Sequence, residues 1–262
     1  MNLFEALLLG LIQGLTEFLP VSSSGHLVLF QNLLGLNEPG VTLEVLLHFG
    51  TLLSIIFVFG QDFIDLLKFY RDKYQRHFLL MLILGVIVTG LLGIIFRKYV
   101  EILFSSTLIV GFMLLITGLI ITLIKIIPAG QKSIAEMKPH DALLIGLLQA
   151  FAIIPGISRS GTTILTALWR GLDRDAAIRF SFMLSAPVIL GATLVEAKEM
   201  LTTGLESTML FNYLAGALVA FVSGVFAIKI FIRMLSASKF HYFAYYCWTI
   251  GLIVIIISLI NN

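Results

Sequence analysis

Glu5-Ala6-Leu7-Leu8, Gly10, Gln13 and Val21-Ser22-Ser23-Ser24-Gly25 recur without a gap, 136 residues later, as Asp141-Ala142-Leu143-Leu144, Gly146, Gln149 and Ile157-Ser158-Arg159-Ser160-Gly161. Chance supplies apolar matches in a greasy chain, but not Gly, Gln, two serines and a second Gly in register. The repeat divides one membrane domain, 1–262, into halves of about 1–127 and about 137–262, a plan shared by many membrane transport folds. Each copy is an apolar segment, about 3–35 and about 141–170, broken in its middle by Pro, Gly, Ser and charge. The arms, roughly 10–18 residues each, fall short of the ~20 that a helix needs to cross the hydrocarbon core. Such interrupted segments read as re-entrant hairpins, tolerated at depth where protein or a watery cavity shields the freed backbone.

Composition agrees. Of 262 residues 59% are hydrophobic and 12% charged, against about 25% charged in ordinary soluble domains. That much apolar surface needs lipid as its solvent, which excludes a soluble enzyme, a disordered chain and a secreted disulfide scaffold. A net charge of +2 leaves no nucleic-acid footprint, and the single cysteine, Cys247, reads as packing. The apolar run at Leu7–Leu15 is not read as a signal peptide. No basic region precedes it, Glu5 and Glu17 bracket it, and the pattern recurs deep in the chain.

Long apolar windows near 43–60, 77–96, 104–127, 176–196, 209–234 and 241–260 predict six full transmembrane helices beside the two hairpins, in an all-α polytopic fold. Three spans between the hairpins invert the second repeat, so the hairpins enter from opposite faces and meet near the midplane. Thirteen of the 17 Lys and Arg residues fall on one side; Arg97, Lys98 and Lys198 fall on the other, and Arg159 lies in a hairpin. The positive-inside rule makes the rich side cytoplasmic and places both termini outside. Arg170, Arg174 and Arg179 read as juxtamembrane charge. Lys239 to Phe243 and Tyr245 to Trp248 read as an interfacial aromatic belt.

Ionisable groups at membrane depth mark function by default. Gln13 and Glu17 stand four apart on one helix face. The Pro20 break, Ser22, Ser23, Ser24, Gly25 and His26 follow. The second tip offers Ser158, Arg159, Ser160, Gly161, Thr162 and Thr163. The arms resuming after each Ser cluster present helix N-termini, whose free N–H groups favour an anion. Together they would cradle a phosphate with no Walker-type motif. Shared positions read as turn builders, and capping is the plain alternative for Ser22, Ser24, Ser158, Ser160, Thr162 and Thr163. Unlike residues at matched positions, Glu17 against Ile153, Ser23 against Arg159 and His26 against Thr162, divide the labour. One tip holds the nucleophile, base and metal-binding carboxylate, and the other neutralises phosphate charge. Glu44 and His48, also four apart, either line the cavity or pair with each other. Gln149 reads as scaffold.

Gln13-Gly14-Leu15-Thr16-Glu17-Phe18-Leu19-Pro20-Val21-Ser22-Ser23-Ser24-Gly25-His26 resembles the first motif of the undecaprenyl-pyrophosphate phosphatases, the bacitracin-resistance family. Pro155-Gly156-Ile157-Ser158-Arg159-Ser160-Gly161 resembles the second. The resemblance covers essentially the whole chain. The family's first motif begins with Glu or Gln, and here it is Gln13. The resemblance implies hydrolysis of the C55 polyprenyl pyrophosphate to its monophosphate at a bacterial cytoplasmic membrane, recycling the lipid carrier for cell-wall synthesis. It also implies a divalent cation and inverted repeats with two re-entrant hairpins. On that reading Arg159 grips phosphate oxygens, and Glu17 with Gln13 holds Mg²⁺ or Ca²⁺. Ser23 is the nucleophile with His26 as its base, or His26 attacks directly or acts on water. Ser22, Ser24, Gly25, Ser158, Ser160, Gly161 and Thr162 bind substrate, and the site opens to the outer face. The rival class is an inverted-repeat transporter or lipid flippase on the same scaffold. A homodimer is left open.

Overall fold

The computed structural model describes residues 1–36, 41–128, 130–203, 209–236 and 240–261. Among these the chain is helical, with no strand beyond one isolated bridge between Lys132 and Leu172. The helices are α1 (Leu3–Phe18), α2 (Ser23–Leu33), α3 (Val41–Val58), α4 (Gly60–Leu66), α5 (Lys73–Phe104), α6 (Thr107–Ile126), α7 (Pro139–Phe151), α8 (Arg159–Trp169), α9 (Arg174–Thr203), α10 (Leu210–Ser236) and α11 (Tyr242–Asn261). Lys239, counted above with the cation-rich side and the aromatic run, lies outside the described residues.

Five helices are long and apolar enough to cross a bilayer: α5, α6, α9, α10 and α11. A sixth span requires α3 and α4 together, and these are bent by 76°. The chain is therefore a multi-pass membrane protein. The bend modifies the expected span at 43–60. Beyond Gly60 come Gln61, Asp62 and Asp65, and their polar groups turn the chain aside: Asp62 pairs with Arg179 of α9, and Asp65 accepts from Lys68 at 2.6 Å. The window at 77–96 grows into 32 helical residues. Asp72 caps the start of that helix, accepting from the Tyr74 N–H at 2.8 Å.

The two repeated segments each form two short helices that pack on each other, α1 on α2 and α7 on α8. Their larger seats lie in the opposite half of the chain. Helix α1 packs on α10 and α7 packs on α5, while α3 meets α9 and α6 meets α11. Backbones touch at these crossings because matched glycines allow it. A Cβ on Gly10 would lie 2.2 Å from the Gly216 carbonyl oxygen, and one on Gly146 would lie 2.5 Å from that of Gly85. Small residues at helix contacts are how packing replaces the hydrophobic drive in lipid. Gln149 donates to Thr89 of α5 at 3.1 Å, a scaffold contact as expected.

Polar contacts gather where α4 ends and where α5, α7 and α9 begin. The fully buried Asp141 of α7 accepts from Lys132, from the Arg170 Nε at 2.7 Å and from the Lys138 N–H at 2.8 Å. Arg179 is held by Asp62 and lies over the Phe78 ring. The juxtamembrane arginines thus serve helix ends. Leu, Ile and Phe side chains of α5, α10 and α11 stay exposed along the outer faces, as lipid contact requires.

Candidate active site at the meeting of two helix breaks

Both helix breaks are built by the same device. Ser22 caps α2 and Ser158 caps α8, each hydroxyl accepting the N–H three residues on, from Gly25 at 3.3 Å and from Gly161 at 3.1 Å. Each cap oxygen also meets the serine two residues on, Ser24 at 3.3 Å and Ser160 at 3.2 Å. A side chain four residues along bonds back to the cap carbonyl: His26 Nδ1 to Ser22 O at 2.8 Å, and Thr162 Oγ1 to Ser158 O at 2.7 Å. The repeat seen in the sequence is a repeat of capping geometry, and Ser22, Ser158 and Thr162 serve as capping groups.

The two breaks touch. The Gly156 N–H donates to Ser22 Oγ at 3.1 Å, a Cβ on Gly25 would fall 2.9 Å from Gly156 Cα, and one on Gly161 would lie 3.4 Å from Pro20 Cβ. The approach at Gly25 requires a glycine, while that at Gly161 is ordinary van der Waals contact. Ser22 itself holds φ of 68°, and Gly156 holds 96°, conformations costly for a residue with a Cβ. Thr117 of α6 locks the second break from behind, donating to Gly156 O at 2.7 Å and accepting from the Ser158 N–H at 3.0 Å.

Glu17 is the centre of the contact. Its Oε1 accepts from Arg159 at 2.9 Å; its Oε2 accepts from Ser23 Oγ at 2.5 Å and from Gln13 Nε2 at 3.1 Å. Three donors separated by up to 146 positions are thus drawn onto one carboxylate, itself 8% exposed. Two polar atoms there remain unbonded although buried: one terminal nitrogen of Arg159 and Gln13 Oε1. His48 of α3 lies within electrostatic range of Glu17. It bonds back to Glu44 O at 2.9 Å, while the Glu44 carboxylate accepts from Gln31 at 3.3 Å.

His26 is buried beside this group, with no hydrogen bond to Ser23. Its Nδ1 meets Ser22 O and its Nε2 meets Tyr246 Oη at 2.8 Å. The two rings stack, with centroids 5.6 Å apart and planes 9° from parallel. Tyr246 reads from its sequence context as part of an aromatic belt, and the structure brings its hydroxyl to His26. Its neighbours His241, Tyr242, Tyr245 and Trp248 form an aromatic row. Cys247 is packing, buried with Sγ 3.8 Å from Pro20 O. Thr117 carried no sequence signal at all.

The cation expected from the sequence meets hard oxygen donors of the right kind: the Glu17 carboxylate, the unbonded Gln13 Oε1 and the Ser23 hydroxyl. No cluster of three or more His, Cys, Asp or Glu occurs among the described residues, so remaining ligands would come from phosphate or water.

Fold and site define a multi-pass helical membrane protein with an ionic, hydroxyl-rich centre where two helix breaks meet. A family model, that of the bacitracin resistance protein BacA, matches residues 6–253. The undecaprenyl-diphosphatase of Halothermothrix orenii is 49% identical over 258 residues, covering 98% of this chain and 99% of that protein. The undecaprenyl-diphosphatase of Alkaliphilus metalliredigens is 45% identical over 275 residues, covering 99% and 100%. That of Carboxydothermus hydrogenoformans is 40% identical over 260 residues, covering 98% of each. The chain belongs to the BacA family.

Proposed function

We propose that this chain is an undecaprenyl-diphosphatase, removing the terminal phosphate of the C55 polyprenyl diphosphate and so recycling a lipid carrier for cell-wall synthesis. The relatives' shared name supports the reaction. The observation in the site that carries it is the second terminal nitrogen of Arg159, buried and unbonded beside a satisfied ion pair. A buried donor without a partner costs free energy, and a phosphate oxygen is the partner that a guanidinium fork fits.

In this reading six spans, one of them α3 with α4, surround two re-entrant hairpins, α1–α2 and α7–α8, related as inverted repeats of about 1–127 and about 137–262. The exchanged seats of α1 on α10 and α7 on α5 support that symmetry. The polar helix ends face the cytoplasm, both termini face outside, and the site opens to the outer face.

Phosphoryl transfer is governed by positioning and charge neutralisation. Arg159 holds Glu17 with one nitrogen and the terminal phosphate with the other. The N-termini of α2 and α8, with Ser22, Ser24, Gly25, Ser158, Ser160, Gly161 and Thr162, shape the phosphate cradle. Ser23 Oγ attacks the terminal phosphorus, and its proton passes to Glu17 along their hydrogen bond. The bond from that phosphorus to the bridging oxygen breaks, and the lipid monophosphate leaves. Water then opens the phosphoserine, its proton taken by His26. Glu17 and Gln13 would hold Mg²⁺ or Ca²⁺, which when bound offsets diphosphate charge.

The test is phosphate release from C55 prenyl diphosphate by the purified protein with Mg²⁺ or Ca²⁺, with EDTA, and with Arg159→Lys. We expect cation-dependent release, reduced about 100-fold in Arg159→Lys because a point charge replaces the fork. No release from stable wild-type protein with either cation present overturns the reading.

A further inference from the structure

We infer that Tyr246 is a positioning residue for His26, orienting the Nε2 lone pair of its Nδ1–H imidazole and keeping it for the reaction. The inference rests on the proposed hydrolase reading for the use of that lone pair, but the placement stands on geometry alone. A backbone carbonyl only accepts, so the 2.8 Å contact to Ser22 O requires the proton on Nδ1. In the neutral ring Nε2 is then the acceptor, and the Tyr246 hydroxyl at 2.8 Å is its donor. The stacked rings fix the imidazole plane as well. What one ring nitrogen bonds decides what the other can do.

The second repeat is the internal control. Thr162 stands at the position of His26 and makes the same bond to its cap carbonyl. A hydroxyl there completes the turn, so the turn does not need an imidazole. The histidine adds one thing, a second nitrogen, and Tyr246 meets that nitrogen. Tyr246 reaches it from α11, 220 residues away in sequence, and remains 43% exposed. It lies on the rim of the site, where its hydroxyl can yield Nε2 to an incoming water without disturbing the buried turn.

Tyr246→Phe separates the hydroxyl from the ring, keeping the stack and removing the donor. With C55 prenyl diphosphate and Mg²⁺ we expect kcat to fall about tenfold at unchanged KM. In ¹⁵N-histidine NMR of the purified protein, His26 (assigned by the signal lost in His26→Gln) is expected as the Nδ1–H tautomer held by Ser22 O, with its Nε2 resonance moving downfield in Tyr246→Phe as the donor is lost. An unchanged or higher kcat, or an unshifted Nε2 resonance in the variant, overturns the inference. So does wild-type His26 found as the Nε2–H form, a result that needs no variant to fold. Failure of the hydrolase reading is distinguishable, because wild-type protein would then release no phosphate while the Nε2 resonance still decides whether Tyr246 governs His26.

Discussion

Two carboxylates are buried among the described residues, and they are treated oppositely. Asp141, at the start of α7, is fully enclosed, and its oxygens are taken by Lys132, Arg170 and the Lys138 N–H. Glu17, at the end of α1, also has three donors, yet its group keeps two loose ends, a nitrogen of Arg159 and an oxygen of Gln13. A buried charge with every valence filled is a fastener: it ties the linker at Lys132 and the end of α8 at Arg170 to α7. A buried charge whose partners have bonding capacity to spare is a socket. Leaving such capacity unused is costly in a folded protein, and here it sits beside a carboxylate and two helix N-termini, which marks the contact of the two breaks as the candidate ligand site.

The largest expected separation comes from Arg159→Ala. Phosphate release should fall about 1,000-fold or more, the scale of an arginine that neutralises a transferring phosphoryl group. A loss below tenfold, measured on folded protein, would make Arg159 a fastener too. Asp141→Ala should do the reverse, costing about 3 kcal/mol of stability by stranding its cations. The kcat of the folded fraction should stay unchanged; thermal unfolding in detergent read beside phosphate release checks both halves. Gln13→Glu adds a carboxylate at one loose end and should lower the Mg²⁺ concentration for half-maximal activity about tenfold. A cation titration that shows no change would remove Gln13 from the cation's shell. The smallest effect belongs to Lys132→Ala, about 1 kcal/mol in the same unfolding measurement, because Arg170 and the Lys138 N–H still hold Asp141. A cost equal to that of Asp141→Ala would show that the lysine alone fastens the linker.

The two helix breaks were legible because an apolar chain leaves few polar residues to read. Gln13, Glu17, Ser22, Ser23, Ser24, His26 and Arg159 stand out in apolar surroundings, and the offset of 136 pairs the two breaks in the sequence itself. The bend after Val58 was hidden, since the apolar run continues through Phe59 and the turning force comes from Asp62 reaching Arg179 across the fold. Tyr246 was hidden for a different reason. An aromatic residue near the start of a membrane helix looks the same whether it faces headgroups or a histidine 220 positions away. Arg170 likewise reads as bulk positive charge in the sequence, because its partner Asp141 lies on another helix.

The exchanged seats of the hairpins bear on how the chain is made. Helix α1 is translated first, but its seat, α10, begins at Leu210. The counter-charge of Glu17 is also late, arriving with Arg159. During synthesis the first hairpin must therefore wait, with an uncompensated acid near or in the bilayer, until most of the polypeptide has been inserted. Such partly assembled states, with an ionisable group unpaired and packing surface uncovered, are the ones prone to misassembly. A ribosome that stalls after the first half would leave a fragment carrying this acid with neither its helix seat nor its arginine, and cellular quality control would have a chemical reason to remove it.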